Sequence, residues 1–191
     1  MSTRITRVSV VAAGIAIFMI GCQPDRGLSP GEGYVDVTGG QVWYRIVGSG
    51  DATPLLVLHG GPGAPSYYLK PLAALSDERP VVFYDQLGAG HSAAPADTNL
   101  WRVDRFVQEL AQVREALGLE EVHILGHSWG SMLAMDYMLT EPTGVRSLVF
   151  ASPALSVERW VHDTDSLKAT LPDSLQAIIT QHENAGTTDA P

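Results

Sequence analysis

A serine stands between two glycines in the pentapeptide Gly126-His127-Ser128-Trp129-Gly130. An apolar run, Val122 to Leu125, precedes it, and a helix-forming segment, Ser131 to Met135, follows it. In the order strand, sharp turn, helix, a G-x-S-x-G string forms a nucleophile elbow that exposes the serine hydroxyl at the top of a sheet. The helix that follows presents free N–H groups, which favour negative charge. These residues therefore predict nucleophilic chemistry at Ser128 on a group that becomes an oxyanion.

A second motif of the same kind is the segment His59-Gly60-Gly61-Pro62-Gly63, which follows the apolar run Pro54 to Leu58. Three glycines and a proline after a buried strand indicate an unusual backbone path, with N–H groups free to face a ligand. A serine hydrolase takes its second oxyanion donor from a loop at this place. His59 precedes the serine in the chain, so we expect it to brace the loop rather than to act as the base.

A third glycine-rich loop, Asp85 to Ser92, follows the apolar run Val81 to Tyr84. Asp85 could be considered as a catalytic acid. In hydrolases with this elbow, however, the acid and the histidine come after the nucleophile in the chain. We therefore expect Asp85 and His91 to have structural roles.

The elements around these loops alternate between strands and helices. Gly39-Gly40 between two alternating runs predicts a hairpin, and the 3-4-3-4 spacing of apolar residues in 101–117 predicts an amphipathic helix. We also predict a helix over 66–75. Alternation of this kind favours a mostly parallel sheet with helices on both faces. After Pro153 only helices are expected, at 157–162, 165–171 and 172–184.

Composition limits the remaining possibilities. The chain has 191 residues, of which 45% are hydrophobic and 17% charged, as is typical of one globular domain. A formal net charge of −9 argues against a nucleic-acid-binding surface. The six histidines are scattered and Cys22 is the single cysteine, so no metal site and no cofactor are expected.

The N-terminus has the features of an export signal. Arg4 and Arg7 precede an uncharged apolar run, Val8 to Ile20, that is short for a membrane span. The run ends at Gly21-Cys22, which is similar to a bacterial lipoprotein signal. We expect residues 1–21 to be the signal peptide, Cys22 to be lipidated, and 22–33 to be a tether to the membrane of the cell envelope. An ordinary secretory signal and an uncleaved anchor are the alternatives.

Three segments together resemble the proline iminopeptidases of the α/β-hydrolase superfamily. They are HGGPG at 59–63, YDQLGAGHS at 84–92 and GHSWGSMLA at 126–134. The similarity extends from about Tyr34 to Asp189, although the family's usual loop has Arg where this chain has Leu87. It implies an α/β-hydrolase fold, with the N-terminal part of the core at 34–153 and the start of a helical cap at 154–191.

The resemblance also implies an activity. Members of this family cleave an N-terminal residue, preferably proline, from short peptides with a free N-terminus. Ser128 would be the nucleophile, and the backbone N–H groups of Gly61 and Trp129 would form the oxyanion hole. Glu183 is a candidate for binding the substrate's α-amino group, although a solvated glutamate at a helix end is the default interpretation.

The acid and the base of a triad are not evident in this sequence. His182 follows Ser128, with Asp163, Asp165 and Asp173 between them, but it lies in a helical pattern with no strand end to orient its ring. We expect His162 and His182 to be residues of the cap helices. The chain is therefore interpreted as the N-terminal part of a longer hydrolase, close to inactive by itself.

Two other functions fit the same residues. The elbow and the glycine-rich loop serve any acyl transfer, so an esterase, lipase or acyltransferase is one alternative. Dehalogenases and epoxide hydrolases are disfavoured because they place Asp where this chain has Ser128. A non-catalytic, surface-anchored binding lipoprotein is the other alternative.

Overall fold

A computed structural model describes residues 27–153 and 156–188. The expected signal peptide, Cys22 and residues 22–26 of the tether lie outside this range, as do residues 154, 155 and 189–191 at the two ends of the expected cap. Within the described ranges, no helix has both the length and the hydrophobicity needed to cross a bilayer.

The described residues form a six-stranded sheet with the order β1-β2-β4-β3-β5-β6. β1 and β2 are the antiparallel hairpin predicted at Gly39-Gly40, and β2 also pairs with β4 in antiparallel orientation. The pairs β3–β4, β3–β5 and β5–β6 are parallel. The strands are β1 (Gly31–Val37), β2 (Gly40–Val47), β3 (Leu55–Leu58), β4 (Val81–Tyr84), β5 (Val122–His127) and β6 (Val145–Ala151).

Helices lie on both faces of this sheet, and the predicted fold class is confirmed. The helices are α1 (Val103–Ala116), α2 (Trp129–Met138), α3 (Val157–Lys168) and α4 (Asp173–Ala185), with 3₁₀ helices at Ser66–Asp77 and Thr98–Leu100. On one face α1 and α2 bury Phe106, Leu110 and Leu133 against the strands. On the other face the longer 3₁₀ helix covers the outward side chains of β3 and β4. All four residues of β3 and of β4 are buried, as their apolar runs predict.

Two of the predicted helices differ from the structure. The helix expected at 66–75 is a 3₁₀ helix that extends to Asp77 and contains Pro71, a residue without the N–H that an α-helix would use. The break expected between His162 and Asp165 is wrong, because α3 continues through it. The Arg159 guanidinium bonds to the Asp163 carboxylate one turn later, and this pair stabilises the helix across the expected break.

The two C-terminal helices bury little of their surface in the structure. Neither α3 nor α4 has a buried side chain among the described residues. The Lys168 ammonium of α3 bonds to the Glu183 carboxylate of α4 at 2.8 Å and links the two helices. Several large apolar side chains therefore remain exposed on this pair: Val157, Trp160, Leu167, Leu175 and Ile178.

Candidate active site

Ser128 is the single residue that connects the end of β5 to the start of α2. Its backbone has φ 52° and ψ −117°, a left-handed conformation that a residue with a side chain seldom adopts. Two hydrogen bonds hold it there, because the Ser128 N–H donates to the Ala151 carbonyl at 3.0 Å and the Ser128 carbonyl accepts from the Ser131 N–H at 2.9 Å. The half-buried serine therefore sits in a sharp turn of the elbow type.

The two glycines that flank Ser128 allow the close crossing of strand and helix. A Cβ at Gly126 would overlap the backbone oxygen of Gly130, and a Cβ at Gly130 would overlap the backbone oxygen of Leu58. Backbone atoms of α2, β5 and β3 therefore approach one another directly. The elbow lies against the end of β3, where the glycine loop, His59–Gly63, begins.

The glycine loop lies next to the serine. A Cβ built on Gly60 would be 3.1 Å from the Cβ of Ser128. Trp129 is the first residue of α2, so its N–H has no partner within the helix. Gly61 is exposed and has φ 118°, a conformation open to glycine. The elbow and the glycine loop thus lie side by side, and the roles of the Gly61 and Trp129 N–H groups in an oxyanion hole stay predictions.

His59 braces the glycine loop from inside the core. It is fully buried, its Nδ1 lies 2.9 Å from the Gly60 carbonyl, and its Nε2 accepts from the Gln86 N–H at 2.8 Å. Burial lowers the pKa of His59 despite the Gly60 hydrogen bond, which favours the charged form. Because Nε2 accepts a hydrogen bond, it carries no proton and the ring is neutral. Both ring nitrogens bond to the backbone, which is a structural role.

Tyr68 is a contact of the loop that the sequence did not indicate. The Gly60 N–H donates to the Tyr68 hydroxyl at 2.7 Å, and the same hydroxyl lies 2.8 Å from Nδ1 of His127. Because the hydroxyl oxygen accepts from Gly60, its own hydrogen is free to bond to His127. Tyr68 therefore ties the glycine loop to the residue directly before Ser128.

Asp85 fixes the third loop, residues 85–92. Its buried carboxylate accepts from the Ser66 N–H at 2.8 Å and from the His91 N–H at 3.0 Å, and it lies 3.1 Å from Nδ1 of His91. Burial alone would raise the pKa of Asp85, but the hydrogen bonds from His91 and Ser66 outweigh it and lower this pKa. The contacts of Asp85 and His91 are those of the structural roles expected for them.

Glu109 on α1 supports the same loop from below, and the sequence did not indicate this either. Both carboxylate oxygens accept from the Leu87 N–H at 3.3 Å, and the carboxylate is paired with the Arg105 guanidinium. Burial raises the pKa of Glu109 to about 7, against the lowering effect of Arg105. A buried residue of α1 is therefore hydrogen-bonded to the third loop, which borders the site.

The C-terminal candidates lie apart from the elbow contacts. His182 Nδ1 is 2.9 Å from the Thr187 hydroxyl, and Glu183 is paired with Lys168. Among the residues described by the structure, no side-chain hydrogen bond of the Ser128 hydroxyl is found. A triad compressed into this chain thus has no support from the contacts of His182, and substrate binding by Glu183 remains a prediction.

The sheet order and the sharp turn at Ser128 are those of an α/β hydrolase. Residues 53–189 match the family described as alpha/beta hydrolase fold. The chain belongs to this family.

Individual relatives show which members of this family the chain resembles. The chain is 54% identical over 160 residues to the proline iminopeptidase of Heyndrickxia coagulans, covering 83% of this chain and 56% of that protein. The crystal structure of the proline iminopeptidase of Mycobacterium smegmatis superposes with a TM-score of 0.74 at 36% identity, covering 84% of this chain and 56% of that one. VinJ superposes with a TM-score of 0.78 at 35% identity, covering 85% and 57%. The predicted resemblance to proline iminopeptidases is confirmed, and the chain spans a little over half the length of these relatives.

Proposed function

We propose that Ser128 is the nucleophile of a serine aminopeptidase that releases an N-terminal residue, proline above all, from short peptides with a free N-terminus. The observation that carries this proposal is the left-handed backbone of Ser128 beside the glycine loop. The similarity to proline iminopeptidases supports the choice of a peptide substrate.

The reaction divides into two acyl transfers. The Ser128 oxygen attacks the carbonyl carbon of the first peptide bond and loses its proton to a general base. The carbonyl oxygen becomes an oxyanion, which the N–H groups of Gly61 and Trp129 stabilise, and each such donor is worth about 10²–10³ in kcat. The C–N bond then breaks as the leaving amine takes a proton. Water cleaves the resulting ester and releases the amino acid.

The 191-residue chain is expected to perform this chemistry slowly. Among the described residues, no imidazole is hydrogen-bonded to the Ser128 hydroxyl. The serine therefore has no general base there to accept its proton. Hydrolases that lose a triad member keep about 10³–10⁴-fold catalysis over water through the oxyanion hole and substrate binding. A slow acylation of Ser128 therefore remains measurable.

The first test compares the wild type with Ser128→Ala. Both proteins are incubated with a p-nitrophenyl ester and with the p-nitroanilide of proline, and the acylated residue is located by peptide mass spectrometry. We expect slow acylation of Ser128 in the wild type and none at that position in the variant. Ser166→Ala, which changes an exposed serine on α3, is the matched control. Equal p-nitrophenol release by the wild type and Ser128→Ala would refute the nucleophile.

The substrates in this test also separate the other functions. Acylation by the ester together with no reaction of the anilide favours an esterase or acyltransferase. A folded protein that reacts with neither substrate, nor with a fluorophosphonate probe, favours a non-catalytic binding protein.

A second proposal concerns export. We infer that Cys22, which follows the apolar run Val8 to Ile20, receives a lipid and anchors the protein in the bacterial cell envelope. Metabolic labelling with an alkynyl fatty acid is expected to mark the wild type and not Cys22→Ser. Equal labelling of the two proteins would contradict the assignment. Labelling of neither would favour an ordinary secretory signal or an uncleaved anchor.

A further inference from the structure

Gln86, fully buried in the third loop, contacts both of the segments that carry the proposed oxyanion-hole donors. Its carboxamide nitrogen donates to the His59 carbonyl at 3.0 Å, and its carboxamide oxygen accepts from the Trp129 indole N–H at 2.9 Å. His59 opens the glycine loop, and Trp129 opens α2. One side chain thus joins the two segments whose N–H groups are proposed to face the oxyanion.

The chemistry of the partners fixes the orientation of this side chain. An indole N–H can only donate and a backbone carbonyl can only accept, so one orientation of the carboxamide satisfies both. The Gln86 backbone N–H donates to Nε2 of His59, which leaves the ring proton on Nδ1, where it bonds to the Gly60 carbonyl. The hydrogen bonds therefore run without a break from Gly60 to Trp129.

We propose that Gln86 is a positioning residue that sets the separation between the N–H groups of Gly61 and Trp129. This inference rests on the proposed function. The position requires one donor and one acceptor on the same side chain. Leucine supplies neither, and an ionised carboxylate supplies two acceptors, one of which would face the His59 carbonyl.

The variant Gln86→Glu distinguishes a positioning role from simple support of the fold. When protonated, the introduced carboxyl group has an O–H that can donate to the His59 carbonyl and an oxygen that can accept from the Trp129 indole. When ionised, it loses the first of these bonds. Protonation is therefore expected to restore the function of this variant, while Gln86→Leu stays defective at every pH.

The main measurement is the rate of Ser128 acylation by a p-nitrophenyl ester between pH 5 and 9. Each rate is divided by the wild-type rate at the same pH, and Gln86→Leu, in which Asp85, His59 and Glu109 titrate without an added carboxylate, gives the background pH dependence of this ratio. We expect Gln86→Leu to be at least tenfold slower throughout. The ratio for Gln86→Glu is expected to rise toward one as the pH falls.

Gln112→Leu is the matched control. Gln112 also bridges two segments, because its side chain accepts from the Thr38 N–H at 3.0 Å and donates to the Thr38 hydroxyl at 3.1 Å. This bridge joins α1 to the hairpin and does not contact the glycine loop or the elbow. We expect Gln112→Leu to acylate at the wild-type rate. Equal slowing by Gln86→Leu and Gln112→Leu would show a general loss of structure and overturn the proposal.

A readout independent of reactivity is the indole N–H resonance of Trp129 in a ¹H–¹⁵N spectrum, assigned by its loss in Trp129→Phe. We expect Gln86→Leu to shift this resonance and Gln112→Leu to leave it in place. If the wild type is not acylated, the proposed function fails, and this resonance alone judges the contact of Gln86. The positioning role is overturned if this resonance does not shift in Gln86→Leu. It is also overturned if Ser128 of Gln86→Leu is acylated at the wild-type rate.

Discussion

Glu109 is a charged side chain with no exposed surface, held beneath the third loop by its contacts with Arg105 and Leu87. An isolated buried carboxylate is costly, so the carboxylate is paired, and burial still moves its pKa from 4.5 to about 7. Between these two values the folded protein keeps a proton that the unfolded chain releases. The stability from this group is therefore full below pH 4.5 and is lost as the pH rises through 7.

This linkage predicts the behaviour of Glu109→Gln. The neutral variant cannot titrate at this position, so its free energy of unfolding relative to that of the wild type should rise by a growing amount as the pH increases from 5 to 8. The limit is about 3 kcal/mol, at 1.36 kcal/mol for each unit of pKa difference. Urea unfolding across this pH range measures it. Glu115→Gln on the exposed side of α1 is the control, and a pH-independent difference for Glu109→Gln would contradict the linkage.

At the scale of the elements, the crossing of α2 over β3 depends on a residue without a side chain. A Cβ at Gly130 would overlap the Leu58 oxygen, a backbone atom that cannot rotate away. Because β3 lies in the middle of the sheet between β4 and β5, it cannot move without disturbing both neighbours. The helix must move instead, and Ser128 precedes its first residue.

We therefore expect Gly130→Ala to destabilise the protein by about 2 kcal/mol or more, as overpacking of a close contact does. It should also lower Ser128 acylation by more than the loss of folded protein explains. Gly31→Ala is the matched control, since a Cβ there would meet no atom within 4 Å. Chemical denaturation gives the stability difference. Equal stability of the two variants would show that the crossing is not tight.

At the scale of the whole molecule, the apolar surface is unevenly distributed. The sheet and its covering helices bury their apolar residues, while Val157 and Leu167 on α3 are each 67% exposed and Trp160 is 62% exposed. Exposed apolar patches of this kind promote binding of hydrophobic dyes and self-association.

The double variant Trp160→Ser, Ile178→Ser is expected to lower both anilinonaphthalene sulfonate fluorescence and the mass-average size in sedimentation. Its melting temperature should stay close to that of the wild type because neither side chain is buried. Leu139→Ser, which removes a single exposed apolar residue from the end of α2, serves as the control. A double variant that binds the dye as strongly as the wild type would contradict this interpretation.

The sequence predicted the elements better than the contacts between them. The spacing of Phe106, Leu110 and Val113 identified α1, and the flanking glycines identified the elbow, because these patterns are local. The loop contacts of Gln86, Tyr68 and Glu109 were not recognised, since the residues that these side chains reach are 8 to 59 residues away in the chain. Gln86 has a local signal in its place in the YDQLGAGHS segment, and Glu109 has one in its spacing of four residues from Arg105. Neither signal shows that Gln86 reaches Trp129 or that Glu109 reaches Leu87.

The strand order has a consequence for how the protein is made. β3 pairs with β4 and β5, and both leave the ribosome after it, β5 about 70 residues later. At translation rates of about 5–20 residues per second, this strand lacks one of its neighbours for roughly 4 to 14 seconds. One edge of an entirely apolar strand is thus left unpaired on the nascent chain for longer than a small hairpin takes to fold. Among the described strands, the one at the centre of the finished sheet therefore waits longest for its second neighbour.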